Sequence, residues 1–322
     1  MRAIRISEHG GPDVLRPVEV ETPSPGPGEV LVRTTAVGVN FIDTYFREGV
    51  YQASLPYIPG SEGAGIVESV GEGTPDLVAG DRVAWCQIPG SYAQYVVGPA
   101  DALVTVPDEV PDGVAASMLL QGLTAHYLIT DTHRAHGGDT VLITAGAGGV
   151  GQLLIQMAVA RGYQVITTTS TESKAQICRD LGAHRVLLYP EATPERIREL
   201  SGGGVEVVFD GVGRDTFDTS LASLARRGTL VLFGAASGPV PPVDPQRLNA
   251  AGSVFLTRPS LGDFIATTEE YRERAAEVME GLVGGSLVLE VGATFGLTEA
   301  AQAHRALQAR RTTGSITLDP SR

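Results

Sequence analysis

The sequence predicts an α/β protein made of a doubly wound parallel sheet and a second, β-rich module. Three observations carry this expectation: strands and helices alternate regularly after Pro111, short apolar runs broken by Gly and Pro come before it, and a tail from about Leu261 leaves that rhythm. At 322 residues two domains are expected, one spanning 1–122 with the tail 262–322 returning to it, the other spanning 123–261.

In the first module, residues 29–37, 63–70, 81–85 and 92–97 read as strands bounded by turn signals. Pro23-Ser-Pro-Gly-Pro-Gly28 is a loop, because Pro withholds its N–H and Gly weakens regular structure. Residues 114–128 read as a helix, 140–143 as a buried strand, 149–161 as a helix and 163–168 as a strand. Helices at 173–181, 194–200 and 215–225 then alternate with strands at 185–188, 205–209 and 229–233. The tail reads as a helix at 267–282, a strand near 288–295, a helix at 298–308 and a closing strand at 315–318, expected to pack on the first module. The run Ser253-Val-Phe-Leu-Thr257 is read as an edge strand of the central sheet that a symmetric dimer would cover, or else as an internal strand.

Composition narrows the function. The 24 basic and 37 acidic side chains give a formal net charge of −13, which argues against nucleic acid or an anionic membrane surface as partner. Hydrophobic residues at 43% and charged ones at 19% supply sizeable cores and argue against disorder. Only Cys86 and Cys178 occur, so there is no disulfide framework and no CxxC pair for zinc. Residues 1–10 contain Arg2, Arg5 and Glu8 and no apolar signal-peptide core, and no run reaches the roughly 18–20 apolar residues a membrane span needs. A soluble cytoplasmic protein is expected.

The strongest motif is Val141-Leu-Ile-Thr-Ala-Gly-Ala-Gly-Gly-Val-Gly151, where an apolar strand runs into Gly146-x-Gly148-x-x-Gly151 and then into an apolar helix. A dinucleotide needs a tight turn, a residue without a side chain where backbone meets diphosphate, and a small residue where helix meets strand. The next strand should end at the ribose. An Asp or Glu there selects NAD, whereas Val165-Ile-Thr-Thr-Thr-Ser-Thr-Glu-Ser-Lys174 offers hydroxyls and the only Lys of the chain, which suits the 2′-phosphate of NADPH. Glu172 lies past the strand tip, where capping the next helix is its expected role.

Together with this domain order, His9-Gly-Gly-Pro12, Gly38-Val-Asn-Phe-Ile-Asp-Thr-Tyr45, Ala79-Gly-Asp-Arg-Val83, Gly122-Leu-Thr124, Asp210-Gly-Val-Gly-Arg-Asp-Thr216, Arg226-Arg-Gly228, Phe233-Gly234 and Thr257-Arg-Pro-Ser-Leu261 carry a resemblance. From end to end the chain resembles the quinone oxidoreductase (zeta-crystallin-like) family of the zinc-independent medium-chain dehydrogenase/reductase superfamily. The resemblance implies a GroES-like catalytic domain beside a Rossmann dinucleotide-binding domain. Where the superfamily's alcohol dehydrogenases place a zinc-binding Cys and a Gly-His-Glu motif, this chain has Asn40 and Gly60-Ser61-Glu62, so no catalytic metal is expected.

The resemblance also implies where a cofactor should lie. Asn40, Phe41, Asp43 and Tyr45 should line the nicotinamide end of the cleft, with Gln121 and Thr124 nearby. Gly146, Ala147, Gly148, Gly149, Val150 and Gly151 should meet the diphosphate, and Ser170, Lys174 and Tyr189 the 2′-phosphate. Phe233, Gly234, Phe255, Leu256 and Thr257 should pass under the nicotinamide and ribose, with Arg310, or its neighbour Arg311, reaching back from the tail. Asn40 or Tyr45 would donate to the oxyanion of a reduced quinone; packing at a domain seam is the alternative for Tyr45, and satisfying loop backbone the alternative for Asn40. His133 and His136 are read as solvated loop histidines rather than metal ligands, and Trp85 and Cys86 as core. Reduction of activated C=C bonds in enals or enones is the rival chemistry. A reading of another class is a weakly catalytic, structural or RNA-binding crystallin-like protein, with Arg226 and Arg227 as its basic patch.

Overall fold

The computed structural model describes residues 1–74 and 76–322. It divides into two compact units: Met1–Gln121 with Thr267–Gly285 and Leu289–Arg322, and Gly122–Ala266 with Ser286–Val288.

In the first unit β1 (Arg2–Arg5) pairs antiparallel with β2 (Arg16–Glu19). β3 (Glu29–Val39) is followed by helix α1 (Phe41–Glu48), then by β4 (Gly63–Val70), β5 (Arg82–Trp85), β6 (Tyr95–Pro99) and β7 (Leu103–Thr105). β3 organises the sheet, because it pairs antiparallel with both β4 and β6. It also feeds two cores. Val30 and Val32 pack with Val67, Val83, Trp85 and Leu103, whereas Val37 and Val39 pack with Ile4, Tyr92 and Leu318. An irregularity between Thr34 and Ala36 switches which parity of residue faces inward, as an extra residue in one strand must.

Helices α2 (Asp112–Ala115) and α3 (Met118–Asp131) replace the single helix expected over 114–128, and the boundary between units falls within α3. In the second unit β8 (Thr140–Ile143), α4 (Gly149–Ala160), β9 (Gln164–Thr169), α5 (Glu172–Asp180), β10 (Arg185–Leu188), α6 (Pro194–Leu200) and β11 (Val205–Asp210) alternate as the sequence predicts. α7 (Phe217–Ser223) is shorter than expected, because β12 (Leu224–Leu232) already begins at Leu224 and takes Arg226-Arg227-Gly228 into the strand. A register shift between Val205 and Val207 absorbs those residues. α8 (Gln246–Ala250), β13 (Phe255–Thr257) and α9 (Leu261–Phe264) complete it. The strand order is β10-β9-β8-β11-β12-β13, all parallel, which puts the reversal of winding between β8 and β11 and makes β13 an edge.

The tail comprises α10 (Thr268–Val283), β14 (Val291–Gly296), α11 (Ala300–Gln308) and β15 (Ser315–Asp319). β15 pairs antiparallel with the end of β3, Leu318 opposite Val37, so the last strand joins the sheet that the third began. No helix among the described residues is long and apolar enough to cross a membrane.

One buried carboxylate organises the end of β11. Asp210 accepts from the N–H groups of Val212 (2.9 Å) and Gly213 (3.0 Å) and from the hydroxyls of Thr216 (2.8 Å) and Ser220 (2.7 Å). Removing it leaves several donors unpaired inside the protein, and each such donor costs ~1–3 kcal/mol. Asp210→Ala is therefore expected to destabilise the chain by ~2–4 kcal/mol in urea denaturation, and a loss below ~1 kcal/mol would contradict this role.

Candidate functional site

The turn from β8 into α4 is a backbone cradle. A Cβ on Gly146 would lie 2.1 Å from the Thr167 hydroxyl, and one on Gly151 would lie 2.5 Å from the Ala145 carbonyl, so both positions are closed by the fold itself. Gly148 is different: its φ of −80° suits any residue, and a Cβ there would meet only the Ala145 carbonyl at 3.3 Å. A Cβ at 148 would therefore be tight against backbone, but by only a few tenths of an ångström, far less than at 146 or 151. Gly148 is also the N-cap of α4 and has no side chain to take the first-turn N–H groups, which leaves a twelve-residue helix with its positive end uncapped by side chain. This donor arrangement fits a diphosphate. Ala145 sits at φ +55°, a left-handed conformation that an L side chain adopts at a cost, and buried Gln152 bonds the Ala147 carbonyl at 3.0 Å.

Register brings further candidates to the same edge of the sheet. Thr169 of β9 is paired with Leu188 of β10, so Ser170 and Tyr189 leave adjacent strand ends, and Lys174 stands in the first turn of α5. The cap of α5 is Thr171, whose hydroxyl accepts from the Lys174 N–H; Glu172, expected to cap, instead pairs with Arg179 at 2.6 Å. Phe233 and Gly234 follow β12, where a Cβ on Gly234 would lie 2.4 Å from the Gly211 carbonyl. Thr257 ends β13, while Phe255 and Leu256 lie lower on that strand, with Phe255 53% exposed on the outer edge. Thr124 is buried in α3, and Arg310 is exposed at the left-handed turn that ends α11.

In the first unit, Asn40 is the N-cap of α1 but does not use its side chain as a cap. The amide donates from Nδ2 to Glu62 Oε2 at 2.7 Å and accepts at Oδ1 from Gln121 at 3.2 Å, while Gln121 accepts from the Ser315 hydroxyl at 2.7 Å. Glu62, wholly buried, takes its other bond from the Leu120 N–H at 2.7 Å. Burial pushes its carboxyl up to about 8, against the pull of the Leu120 and Asn40 donors. On α1 and just after it the rings of Phe41, Tyr45 and Tyr51 form a run, Phe41 to Tyr45 at 6.5 Å and Tyr45 to Tyr51 edge-on at 5.4 Å.

Asp43, expected to face a cofactor, has its carboxylate turned inward. Oδ2 accepts from the Asn40 N–H at 2.8 Å and from the Tyr92 hydroxyl at 3.0 Å, because an acidic residue three positions into a helix is placed to bond the N-cap backbone. Behind Tyr92 lies His304, whose Nδ1 accepts from fully buried Arg47 at 2.9 Å. A guanidinium can only donate, so Nε2 carries the imidazole hydrogen and gives it to the Tyr92 oxygen at 3.0 Å. Burial pushes Asp43 up to about 7, and burial together with Arg47 pushes His304 down to about 3. His133 is likewise not solvated: it packs edge-on against Tyr163 and Phe209, donates from Nε2 to the Ile129 carbonyl and accepts at Nδ1 from the Ala135 N–H. Trp85 and Cys86 are core.

Sequence reasoning did not reach Tyr51, Tyr92, His304, Arg47 or the working side of Glu62. Tyr51 had a signal, since it follows the Gly49 turn that ends α1; the others meet only through long-range contacts. Among the described residues no cluster of three His, Cys, Asp or Glu side chains is placed to hold a metal. The raised carboxyls have a consequence for stability. Glu62 and Asp43 titrate higher folded than unfolded, so their contribution is complete at low pH and is lost as pH rises through about 7 and 8. Between pH 6.5 and 8.5 the Tm is expected to fall by a few degrees, on the order of 1–2 kcal/mol, with a smaller fall in Glu62→Gln. A Tm that rises over that window would refute the assignment.

Residues 26–108 match the alcohol dehydrogenase GroES-like domain, and residues 149–281 match the family described as zinc-binding dehydrogenase. A quinone oxidoreductase of Pseudomonas aeruginosa is 44% identical, over 99% of each chain. A 2-haloacrylate reductase of a Burkholderia species is 41% identical over 98% of each chain. A mycobacterial protein solved in complex with NADPH is 54% identical and superposes with a TM-score of 0.97, over 99% of this chain and 100% of the other. With this agreement along its whole length, the chain belongs to the quinone oxidoreductase family of the medium-chain dehydrogenase/reductase superfamily.

Proposed function

We propose that this chain is an NADPH-dependent quinone reductase that works without a metal. The observation that carries the reading is the cradle at Gly148, the N-cap of α4 with no side chain over the first-turn N–H groups, with Ser170, Lys174 and Tyr189 on the neighbouring strand ends. NADPH, when bound, supplies the hydride. Gly146 to Gly151 would hold its diphosphate, and Lys174 with Ser170 the 2′-phosphate, for which a carboxylate in their place would be repulsive.

The first unit's part is to receive a planar acceptor and stabilise the charge that develops on it. The Phe41, Tyr45 and Tyr51 rings offer aromatic surface for a quinone. The Asn40 amide, or the Tyr45 hydroxyl, donates to the developing oxyanion, and a group already held in place does so without reorganising. A quinone oxyanion is a weak base, so water suffices as the final proton source.

The 2-haloacrylate reductase relative favours one second reading, reduction of an activated C=C bond, which asks more of a proton donor because carbon must be protonated. A homodimer joined through β13, whose Phe255 is exposed on the sheet edge, and a cytoplasmic location, matching two buried free thiols, belong to the same proposal.

Steady-state assays with a naphthoquinone and with an enone test it. NADPH is expected to exceed NADH in kcat/KM by at least ~10-fold, and Lys174→Ala to cut the NADPH value by ~10–100-fold while leaving NADH unchanged, as loss of one charge-assisted bond implies. Equal loss with both nucleotides would remove Lys174 from the 2′-phosphate, and a preference for the enone would move the chain to the second reading. An unchanged kcat/KM in Tyr45→Phe would leave Asn40 as the donor.

A further inference from the structure

We infer that Glu62 is a positioning residue for the acceptor chemistry: by accepting one hydrogen of the Asn40 amide, it directs the other hydrogen to the acceptor oxygen. The inference rests on the quinone reading, with Asn40 as donor, and adds what fixes that donor.

Ser315, Gln121 and Asn40 form a hydrogen-bonded row that runs to Glu62. A hydroxyl can donate or accept, and a primary amide can turn over and exchange its oxygen for its nitrogen, so the first three groups alone would be satisfied equally well in either direction. An ionised carboxylate can only accept. Both Glu62 oxygens face donors, Asn40 Nδ2 and the Leu120 N–H, each at 2.7 Å, which is the arrangement of the ionised form. Glu62 therefore sets the direction of the whole row, with Ser315 giving to Gln121, Gln121 to Asn40 and Asn40 to Glu62. Turning the Asn40 amide over would set its oxygen against the carboxylate, and the nitrogens of Asn40 and Gln121 against each other.

The seat for this carboxylate is built. Gly38 lies under it, where a Cβ would come 2.7 Å from Glu62 Oε2 and 2.4 Å from the Ala116 carbonyl, so only glycine leaves room. Asn40, Gln121, Ser315 and Glu62 are all buried, which keeps water from substituting for any member of the row. The groups that bear on the carboxyl are Asp43 on α1, Cys86 just beyond β5 and Tyr271 on α10, all of which share its buried surroundings. With the carboxyl at about 8, protonation at lower pH allows Glu62 to donate and releases the direction of the row.

The test is a double-mutant cycle on kcat with a naphthoquinone at saturating NADPH, from pH 6 to 9. Asn40→Ala is expected to lower kcat by ~10–100-fold and Glu62→Gln by ~10-fold with the quinone KM within ~2-fold, since an orientation, not a binding contact, is lost. The double variant should be no slower than Asn40→Ala alone. Wild-type kcat should rise with pH toward about 8, and this rise should vanish in Glu62→Gln. A readout independent of turnover is the pair of Asn40 side-chain NH2 signals by NMR in the full chain, expected to shift with the Glu62 titration and to broaden or double in Glu62→Gln. Calorimetric NADPH affinity should be the same in wild type and Glu62→Gln, showing an intact fold. Losses that multiply in the double variant, or a Glu62→Gln enzyme with wild-type kcat and pH profile, would overturn the positioning role alone. An unchanged kcat in Asn40→Ala would overturn Asn40 as donor and this inference with it.

Discussion

Between β8 and α4 the backbone passes so close to itself that a single added methyl group at Gly146 or Gly151 has nowhere to go. That closeness lets a parallel strand turn directly into a helix at the point where the winding of the sheet reverses. The same turn leaves the helix end uncapped by any side chain, so the fold's tightest place borders its most receptive one. The neighbouring strand ends follow from sheet register: once β9 and β10 are paired, Ser170 and Tyr189 leave the sheet side by side, on the same edge.

The first unit solves a different problem, that of keeping ionisable groups dry. Arg47, His304, Tyr92 and Asp43 form a directed row whose one obligatory donor and one carboxylate stand at opposite ends, so a cation and an acid are joined through neutral partners. Glu62 lacks such a cation and relies on an amide and a backbone N–H instead, and its carboxyl is the one raised further from the ordinary range. Buried carboxyls held this way make the protein less stable as pH rises, and groups so perturbed cluster at functional sites. On this view the first row ties α1 to α11, and the second aims Asn40.

The sequence made most of the second unit legible, because strands covered on both faces are short apolar runs and their helices fall between them at regular intervals. The glycine motif was legible for the same reason, since its spacing has a mechanical cause. Less of the first unit could be read. α1 is only eight residues long and was visible only as part of a motif, the interruption between α2 and α3 leaves no Pro or Gly to mark it, and Arg226-Arg227, which fell between an expected helix and an expected strand, lie inside β12. Side-chain direction was the least legible. Asp43 faces inward because of where it falls in a helix that was not foreseen, and His133 finds two rings that are distant in sequence. Glu62 read as the remnant of a lost metal site, because its partners Leu120 and Asn40 lie 58 and 22 positions away.

Gly148 leaves the first-turn N–H groups of α4 uncovered by any side chain, and a side chain placed there should exclude a diphosphate. Titration calorimetry of NADPH against wild type and Gly148→Val tests this most directly, with thermal melting of the two free proteins as the control. The variant is expected to melt within ~5 °C of wild type, since its Cβ is only a few tenths of an ångström too close to the Ala145 carbonyl, and to lose at least ~100-fold in NADPH affinity. A variant that binds NADPH like wild type would contradict this reading.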